Sequence, residues 1–290
     1  MNNFPRISII TPNYNGAKFL EETILSVIGQ DYPNLEYIII DGCSTDESID
    51  IIQKYKSKLA WWVSEPDNGM YDAIQKGFDR STGELLGWIN SDDILHKKSL
   101  FAIADIFSNN QQIRWVQGYP NVIDESGRIV YHRPQRFSKY AFYLKDYHDG
   151  IFIQQESTFW TRDLWIESGA YLSKKFKYAG DFELWIRFFR FTELYNTMTL
   201  LGSFRNHGHG QISKKQYNEY ILECNQIITD AVKCLTVSEK RRLNKIKISR
   251  RIMKVAPRIS RLLNLKRMEN YWLSNPLSID FDFTLKHYAG

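Results

Sequence analysis

The chain has 290 residues, 43% apolar, 14% aromatic and 24% charged. That is enough to bury a large core, too apolar for a disordered chain and, with three cysteines, too poor in sulfur for a disulfide scaffold. Its 38 Lys and Arg against 33 Asp and Glu give a formal charge of +5, unevenly placed: residues 238–268 carry twelve cations and one acid, Glu239, which leaves the remainder at −6. Cys43, Cys224 and Cys234 follow neither a disulfide framework nor a zinc spacing, so they read as reduced thiols in a cytoplasmic protein. The first residues, MNNFPRISII, lack a charged leader ahead of an apolar core. No run approaches the roughly 18 apolar residues that span a bilayer, and the expectation is a protein neither exported nor membrane-spanning.

Residues 7–10 and 37–40 are isoleucine-rich runs, each ending where polar residues begin. Between them Leu20, Ile24, Val27 and Ile28 recur at helical spacing, and Asp31-Tyr32-Pro33 closes that helix. Ser44, Thr45 and Asp46 offer N-cap oxygens to a second helix carrying Ile49, Ile52 and Tyr55 on one face. Residues 62–64 and 86–89 are the next strands, separated by a helix around 73–78 that stops near Gly83. A helix with Leu100, Ile103, Ala104 and Phe107 then precedes two alternating segments, 114–118 and 128–133, paired through a hairpin turn at Asp124-Glu125-Ser126-Gly127. From Asp181, the residues Leu184, Trp185, Phe188 and Phe189 form an apolar helical stripe, and another helix is expected over 217–232. The pattern is that of an α/β fold, a mostly parallel sheet flanked by helices.

In such a sheet, ligands bind beyond the carboxyl ends of the strands, where loops and helix N-termini converge. Four consecutive strands end in polar clusters: Thr11-Pro12-Asn13-Tyr14-Asn15, Asp41-Gly42-Cys43-Ser44-Thr45-Asp46, Glu65-Pro66-Asp67-Asn68-Gly69 and Asn90-Ser91-Asp92-Asp93. One acidic turn is ordinarily a helix cap; four on one edge describe a site. Asp92 and Asp93 repel each other unless a cation or donors compensate, and hard oxygen ligands favour Mg²⁺ or Mn²⁺, completed by substrate phosphates. The alternative for that pair is a capped helix beginning at Asp92.

Thr11-Pro12-x-Tyr14-Asn15 after ISII, Asp41-Gly42-x-Ser44-Thr45-Asp46 after YIII, and Ser91-Asp92-Asp93 resemble family 2 glycosyltransferases of the GT-A fold. The resemblance covers residues 7–99 and resumes near Asp181. Glu65-Pro66-Asp67-x-Gly69-x-Tyr71-Asp72-Ala73 further resembles a bacterial subset that builds surface polysaccharides, such as O-antigen or capsule. The resemblance implies that Thr11, Pro12, Asn13, Asn15 and Asp41 contact the base and ribose of a nucleotide-diphosphate sugar, with a UDP-sugar as the expected donor. It implies that Asp67 lies near the nucleotide or sugar, that Asp92 faces the ribose or sugar, and that Asp93 binds Mn²⁺ or Mg²⁺ bridging the diphosphate. Asn90 departs from the family pattern, which has an acid there. An inverting transfer needs a carboxylate to take the acceptor's proton, and Asp181, in Ala179-Gly180-Asp181-Phe182-Glu183, is the candidate base; the family often has Glu where Gly180 stands. By position alone, Gln154-Gln155-Glu156-Ser157 is a candidate floor for donor-sugar or acceptor contacts. The glycine-rich stretch 205–213 suits a loop closing over the diphosphate, with His207 or His209 as a further candidate metal ligand.

The expected organisation is a catalytic domain over 1–237, with a nucleotide-sugar half over about 1–100 and an acceptor half over about 101–237, followed by a basic helical extension over 238–290. In that extension Ile252, Val255, Ala256, Ile259 and Leu263 form an apolar stripe among cations, interrupted by Pro257. This fits docking on an anionic membrane, which would place the protein peripherally on the inner face of the plasma membrane, near a glycan or lipid-linked acceptor. A basic helix packed on the acidic body is the competing reading, and nucleic-acid binding, lacking a recognised module, ranks below both. Two other functions compete with sugar transfer: a binding module without turnover, and a sugar nucleotidyltransferase. The latter needs a glycine-rich loop with Arg and Lys after the first strand, which residues 11–15 lack.

Overall fold

The computed structural model describes residues 4–132, 138–150, 152–208, 211, 215–273 and 277–279. Strand β1 (Ile7–Asn13) leads to helix α1 (Ala17–Ile28), β2 (Leu35–Asp41), α2 (Ser48–Tyr55), β3 (Trp61–Ser64), α3 (Met70–Arg80) and β4 (Leu85–Trp88). Then come β5 (Ile94–Leu95), α4 (Ser99–Asn109), β6 (Trp115–Gln117) and the hairpin of β7 (Asn121–Ile123) with β8 (Ile129–His132). The second half holds α5 (Lys139–Tyr143), β9 (Thr158–Thr161), α6 (Arg162–Glu167), α7 (Gly180–Phe188), β10 (Tyr195–Thr197), β11 (Gly202–Arg205) and α8 (Tyr217–Lys233). It closes with α9 (Val237–Val255), α10 (Pro257–Leu262), α11 (Leu265–Leu273) and β12 (Leu277–Ile279).

Eight strands make a mixed sheet in the order β12-β10-β6-β9-β4-β1-β2-β3. Strand β1 runs parallel to both β2 and β4, while β9 runs antiparallel to β4 and β6. The chain winds outward from β1 through β2 and β3, then crosses back to β4. That reversal is the switch point of an open α/β sheet, where strand ends part and leave a crevice. Alternation sorts each central strand between two cores: Ile10, Ile38 and Ile40 face one, and Ile7, Ile9 and Ile39 the other. The first core is built on tryptophans, with Trp88 and Trp185 stacked at 5.7 Å.

A smaller sheet, β5-β11-β7-β8, carries the second wall of the crevice. Its hairpin differs from the expected pairing. The turn at Asp124-Glu125-Ser126-Gly127 is present, with the Asp124 carboxylate accepting from the Ser126 and Arg128 amides. Its first strand is β7, however, because residues 115–117 are buried throughout and belong to the main sheet between β9 and β10. Three buried residues in a row carry no alternation to reveal that. At the C-terminal end, Leu235, Leu243 and Ile246 join the same core as α7. Thr236 and Glu239 form a capping box at the start of α9, and Pro257 opens α10 after the helix breaks at Ala256.

Candidate active site

The nucleotide wall is assembled from the ends of β1, β2 and β3. Asp41 is fully buried, and its carboxylate accepts from the Asn13 amide at 2.7 Å, the Ser44 amide at 2.9 Å, the Ser44 hydroxyl at 2.5 Å and the Ser64 hydroxyl at 2.6 Å. Those four bonds fill the acceptor sites of a carboxylate, so Asp41 ties three strand ends together, and a base imide could reach it only by displacing one of them. Thr11 and Asn13 are likewise interior, and the Thr11 hydroxyl lies 3.0 Å from that of Tyr37. Pro12 is buried beside them. Asn15 takes a left-handed backbone at φ 52°, and its side chain accepts from the Thr45 amide at 2.8 Å, locking the first loop to the second. What faces outward is Tyr14, 68% exposed, beside Gly42 and Asp67. Tyr14 lies in the loop expected to meet a base, and a lone exposed aromatic among small polar residues offers a face for stacking. Asp67 accepts from the Gly69 amide and turns its other oxygen toward Gly42, where any side chain would collide with it.

The loop after β4 separates two adjacent carboxylates. Asp93 is fully buried: one oxygen accepts from the Arg205 amide at 2.8 Å and the other from the Asn90 side chain at 3.3 Å. Burial first, and then the charges of Asp92 and Glu156, hold its carboxyl well above the usual range. Asp93, the expected metal ligand, thus has both oxygens engaged, one by the Arg205 amide and one by Asn90. Asp92 is half-buried, and its Oδ2 lies 3.0 Å from His207 Nε2. The His207 ring packs against Phe19 at 4.8 Å between centroids. Asp92 and His207, next to Asp93, are also placed where they could hold a divalent cation. Among the described residues, no three His, Cys, Asp or Glu side chains cluster to hold an ion by themselves, so the set fits an ion completed by diphosphate oxygens. His209 and much of the 205–213 loop lie outside the described residues.

Arg205 organises this region from within. It is fully buried, donates to the Asp92 carbonyl at 2.7 Å and to the Glu125 carbonyl at 3.1 Å, and pairs with Glu22 at 2.7 Å. Its backbone amide holds Asp93.

On the opposite side, Asp181 stands in the first turn of α7, half-buried, with the Tyr71 hydroxyl 3.0 Å from its Oδ1. Burial pushes its carboxyl up to about 6, against the lowering effect of the Phe182 amide and Tyr71. The loop before it is pinned by Glu223 of α8, which accepts from the amides of Lys177, Tyr178 and Ala179 at 2.8–2.9 Å. Gly180 is required here, because a Cβ would sit 2.8 Å from the Tyr71 ring. Between the two sides lies Glu156, buried just before β9. Its Oε1 has no hydrogen-bond partner among the described residues, and the side-chain amide of Gln155 is also unpartnered there. Burial, then the charges of Asp92 and Asp181, raise Glu156 to about 8, so at neutral pH it is mostly a neutral acid. Tyr71, Glu223 and Arg205 escaped sequence reasoning, since nothing local marks a residue that acts across the fold.

A mixed sheet with carboxylates gathered at its switch point, and Asp181 across from them, is the arrangement of a GT-A-type fold. The chain belongs to glycosyl transferase family 2, whose family model matches residues 8–180. It is 26% identical over 194 residues to an uncharacterized glycosyltransferase of Rickettsia typhi, RT0329, which covers 66% of this chain and 61% of that protein. Over 99 residues it is 36% identical to the putative teichuronic acid biosynthesis glycosyltransferase TuaG of Bacillus subtilis, covering 33% of this chain and 39% of TuaG. The chain thus spans about three fifths or less of the length of these relatives. In fold it is similar to S. aureus TarS 1-349 in complex with UDP-GlcNAc, with a TM-score of 0.67 at 18% identity, covering 92% of this chain and 78% of that one. It is also similar to the mannosyltransferase PcManGT of Pyrobaculum calidifontis in complex with GDP-Man and Mn²⁺, with a TM-score of 0.55 at 16% identity, covering 94% and 89%.

Proposed function

We propose that the protein transfers a sugar from a nucleotide-diphosphate donor, a UDP-sugar, to a hydroxyl of a bacterial surface glycan or its lipid-linked precursor, with inversion at the anomeric carbon. The observation that carries this reading is the placement of Asp181, a carboxylate tuned to about 6, across Glu156 from the Asp92–His207 pair. Tyr14, Gly42 and Asp67 receive the base and ribose, over a loop frame made rigid by Asp41, Thr11, Asn13 and Asn15. Asp181 takes the acceptor hydroxyl proton as the acceptor oxygen bonds to the anomeric carbon and the bond from that carbon to the diphosphate oxygen breaks. Tyr71 holds the base in place and Glu156 presents a polar floor to the sugar. A divalent cation, Mn²⁺ or Mg²⁺, held by Asp92 and His207 would offset the charge gathering on the leaving diphosphate. The complexes of TarS with UDP-GlcNAc and of PcManGT with GDP-Man and Mn²⁺ support the donor class and the ion, and TuaG supports the polysaccharide context. Residues 1–237 carry this machinery and residues 238–290 extend it.

Incubation with UDP-sugars and Mn²⁺, reading UDP release with and without an acceptor glycan, tests the proposal. Release that needs the cation and disappears in Asp181→Asn fits it. Donor binding with no release under any acceptor would instead identify a non-catalytic binding module.

A further inference from the structure

The last three helices present a surface that the catalytic reading does not use. Helix α9 buries Leu243, Ile246 and Ser249 against the body, while Val237, Arg241, Asn244, Ile248, Arg251 and Val255, spaced four and three residues apart, all lie exposed on its opposite face. The stripe continues past Pro257 through Ile259, Leu262 and Leu263, of which Leu262 is 85% exposed, with Val255 at 75%. Arg258, Arg261, Lys266 and Arg267 are exposed among them, and no acid falls between Glu239 and Glu269.

This segment is fixed to the body by a separate set of groups. Arg250 makes a two-pronged pair with Asp146 of the body at 2.6 and 2.8 Å, and its pair with Glu269 at 2.5 Å ties α9 to α11. Arg242 packs over Tyr140 at 4.7 Å, and Lys139 pairs with Glu239 at 2.8 Å. Two of the twelve cations thus turn inward, and the other ten project outward. The competing expectation, a basic helix neutralised by the acidic body, accounts for Arg250 and leaves the outer face unexplained.

We propose that the outer face of α9, the Val255–Leu263 corner and the start of α11 dock on a lipid bilayer rich in anionic headgroups. Cations alone would serve any polyanion, which binds through its charges. Six exposed aliphatics interleaved with those cations gain nothing from such a partner, but they gain from entering the boundary between headgroups and acyl chains. Among the described residues, no helix is long and apolar enough to cross a membrane, and the contact is therefore a surface one. It sets the catalytic body against a membrane without using any residue of the crevice, and it holds whether or not the sugar-transfer reading does.

Sedimentation of the full chain with vesicles tests this without turnover. Wild-type protein should bind vesicles of phosphatidylcholine mixed with phosphatidylglycerol, ignore phosphatidylcholine alone, and release as salt is raised. Arg258→Gln with Arg261→Gln should weaken binding about fivefold per cation removed, the equivalent of ~1 kcal/mol for a cation near an anionic surface. Leu262→Asp with Leu263→Asp should weaken vesicle binding at least as much, with an unchanged melting temperature because both side chains are exposed. Absence of binding to anionic vesicles by the wild type, or equal binding to neutral ones, overturns the proposal. So does a Leu262/Leu263 variant that binds as wild type does, or that loses binding equally to soluble polygalacturonate, since either result would make the surface a polyanion site.

Discussion

Replacing Asp181 by Asn should abolish transfer and at the same time stabilise the protein, by an amount that the structure sets. The carboxyl sits at about 6 in the fold against an ordinary 3.8, and burial is the main cause. A carboxyl raised on folding favours the native state while it is protonated. Its contribution is fully present below about pH 4 and is lost as the pH rises through 6. The gap of about 2 corresponds to about 3 kcal/mol of destabilisation at pH 7.5, at 1.36 kcal/mol per unit, and this is an upper value because the side chain is only half-buried. Asn is neutral at every pH and keeps an oxygen for the Tyr71 hydroxyl. With an unfolding entropy near 2.1 cal/mol/K per residue, 290 residues convert about 3 kcal/mol into a melting-point rise of about 5 °C. Calorimetric scans of wild type and variant at pH 7.5 and pH 4, alongside UDP release, make the measurement. The expected result is a rise at pH 7.5 that vanishes at pH 4. A rise of equal size at both pH values, or none at pH 7.5, would refute the link between burial and basicity.

Other expectations follow from the same geometry. In the wild type, turnover should climb as the pH passes about 6, because the base works deprotonated; Tyr71→Phe removes a donor to that carboxylate and should move the midpoint upward, so a midpoint that stays or falls would argue against Tyr71 as its support. Asp92→Asn should abolish the response of donor binding to Mn²⁺ in a thermal-shift titration, whereas Asp93→Asn should keep it, since the Asn90 amide can turn over to match the new side chain; the opposite pattern would restore Asp93 as the ligand. Arg205→Ala should cost on the order of 3 kcal/mol in denaturant unfolding, through lost charged hydrogen bonds and the void left behind, and loss of less than 1 kcal/mol would mean that the loops close without it. Glu156→Gln should fold normally at neutral pH, as a neutral acid is replaced by a neutral amide, while altering the KM for the donor.

The strand ends were legible because the signal is local: an apolar run needs only to stop, and polar residues to follow, for the sheet edge to declare itself. The start of α7 at Gly180 and Asp181 was legible for the same reason, as an acid opening an apolar helical stripe. What stayed hidden depends on distance along the chain. Asp92 and Asp93 are neighbours with identical side chains, and only the amide of Arg205, 112 residues away, decides which one is enclosed. Glu223 shapes the loop before Asp181 from a helix whose pattern reports only its buried face. The hairpin was paired to the wrong strand because β6 is buried on both sides and gives no period of two.

The two departures from the family pattern bear on whether the site is active or a relic. An acid at position 90 would stand 3.3 Å from the Asp93 carboxyl, which is already raised by burial and by two neighbouring carboxyls; Asn90 supplies a donor instead. A glutamate at position 180 would put its Cβ into the Tyr71 ring, whose hydroxyl reaches Asp181. Each substitution is matched by a partner that needs it, and each partner touches a carboxyl of the site. Glu156 Oε1 and the side-chain amide of Gln155, on the floor between Asp92 and Asp181, are among the buried atoms without partners among the described residues, and a sugar's hydroxyls could supply the missing bonds at a working site.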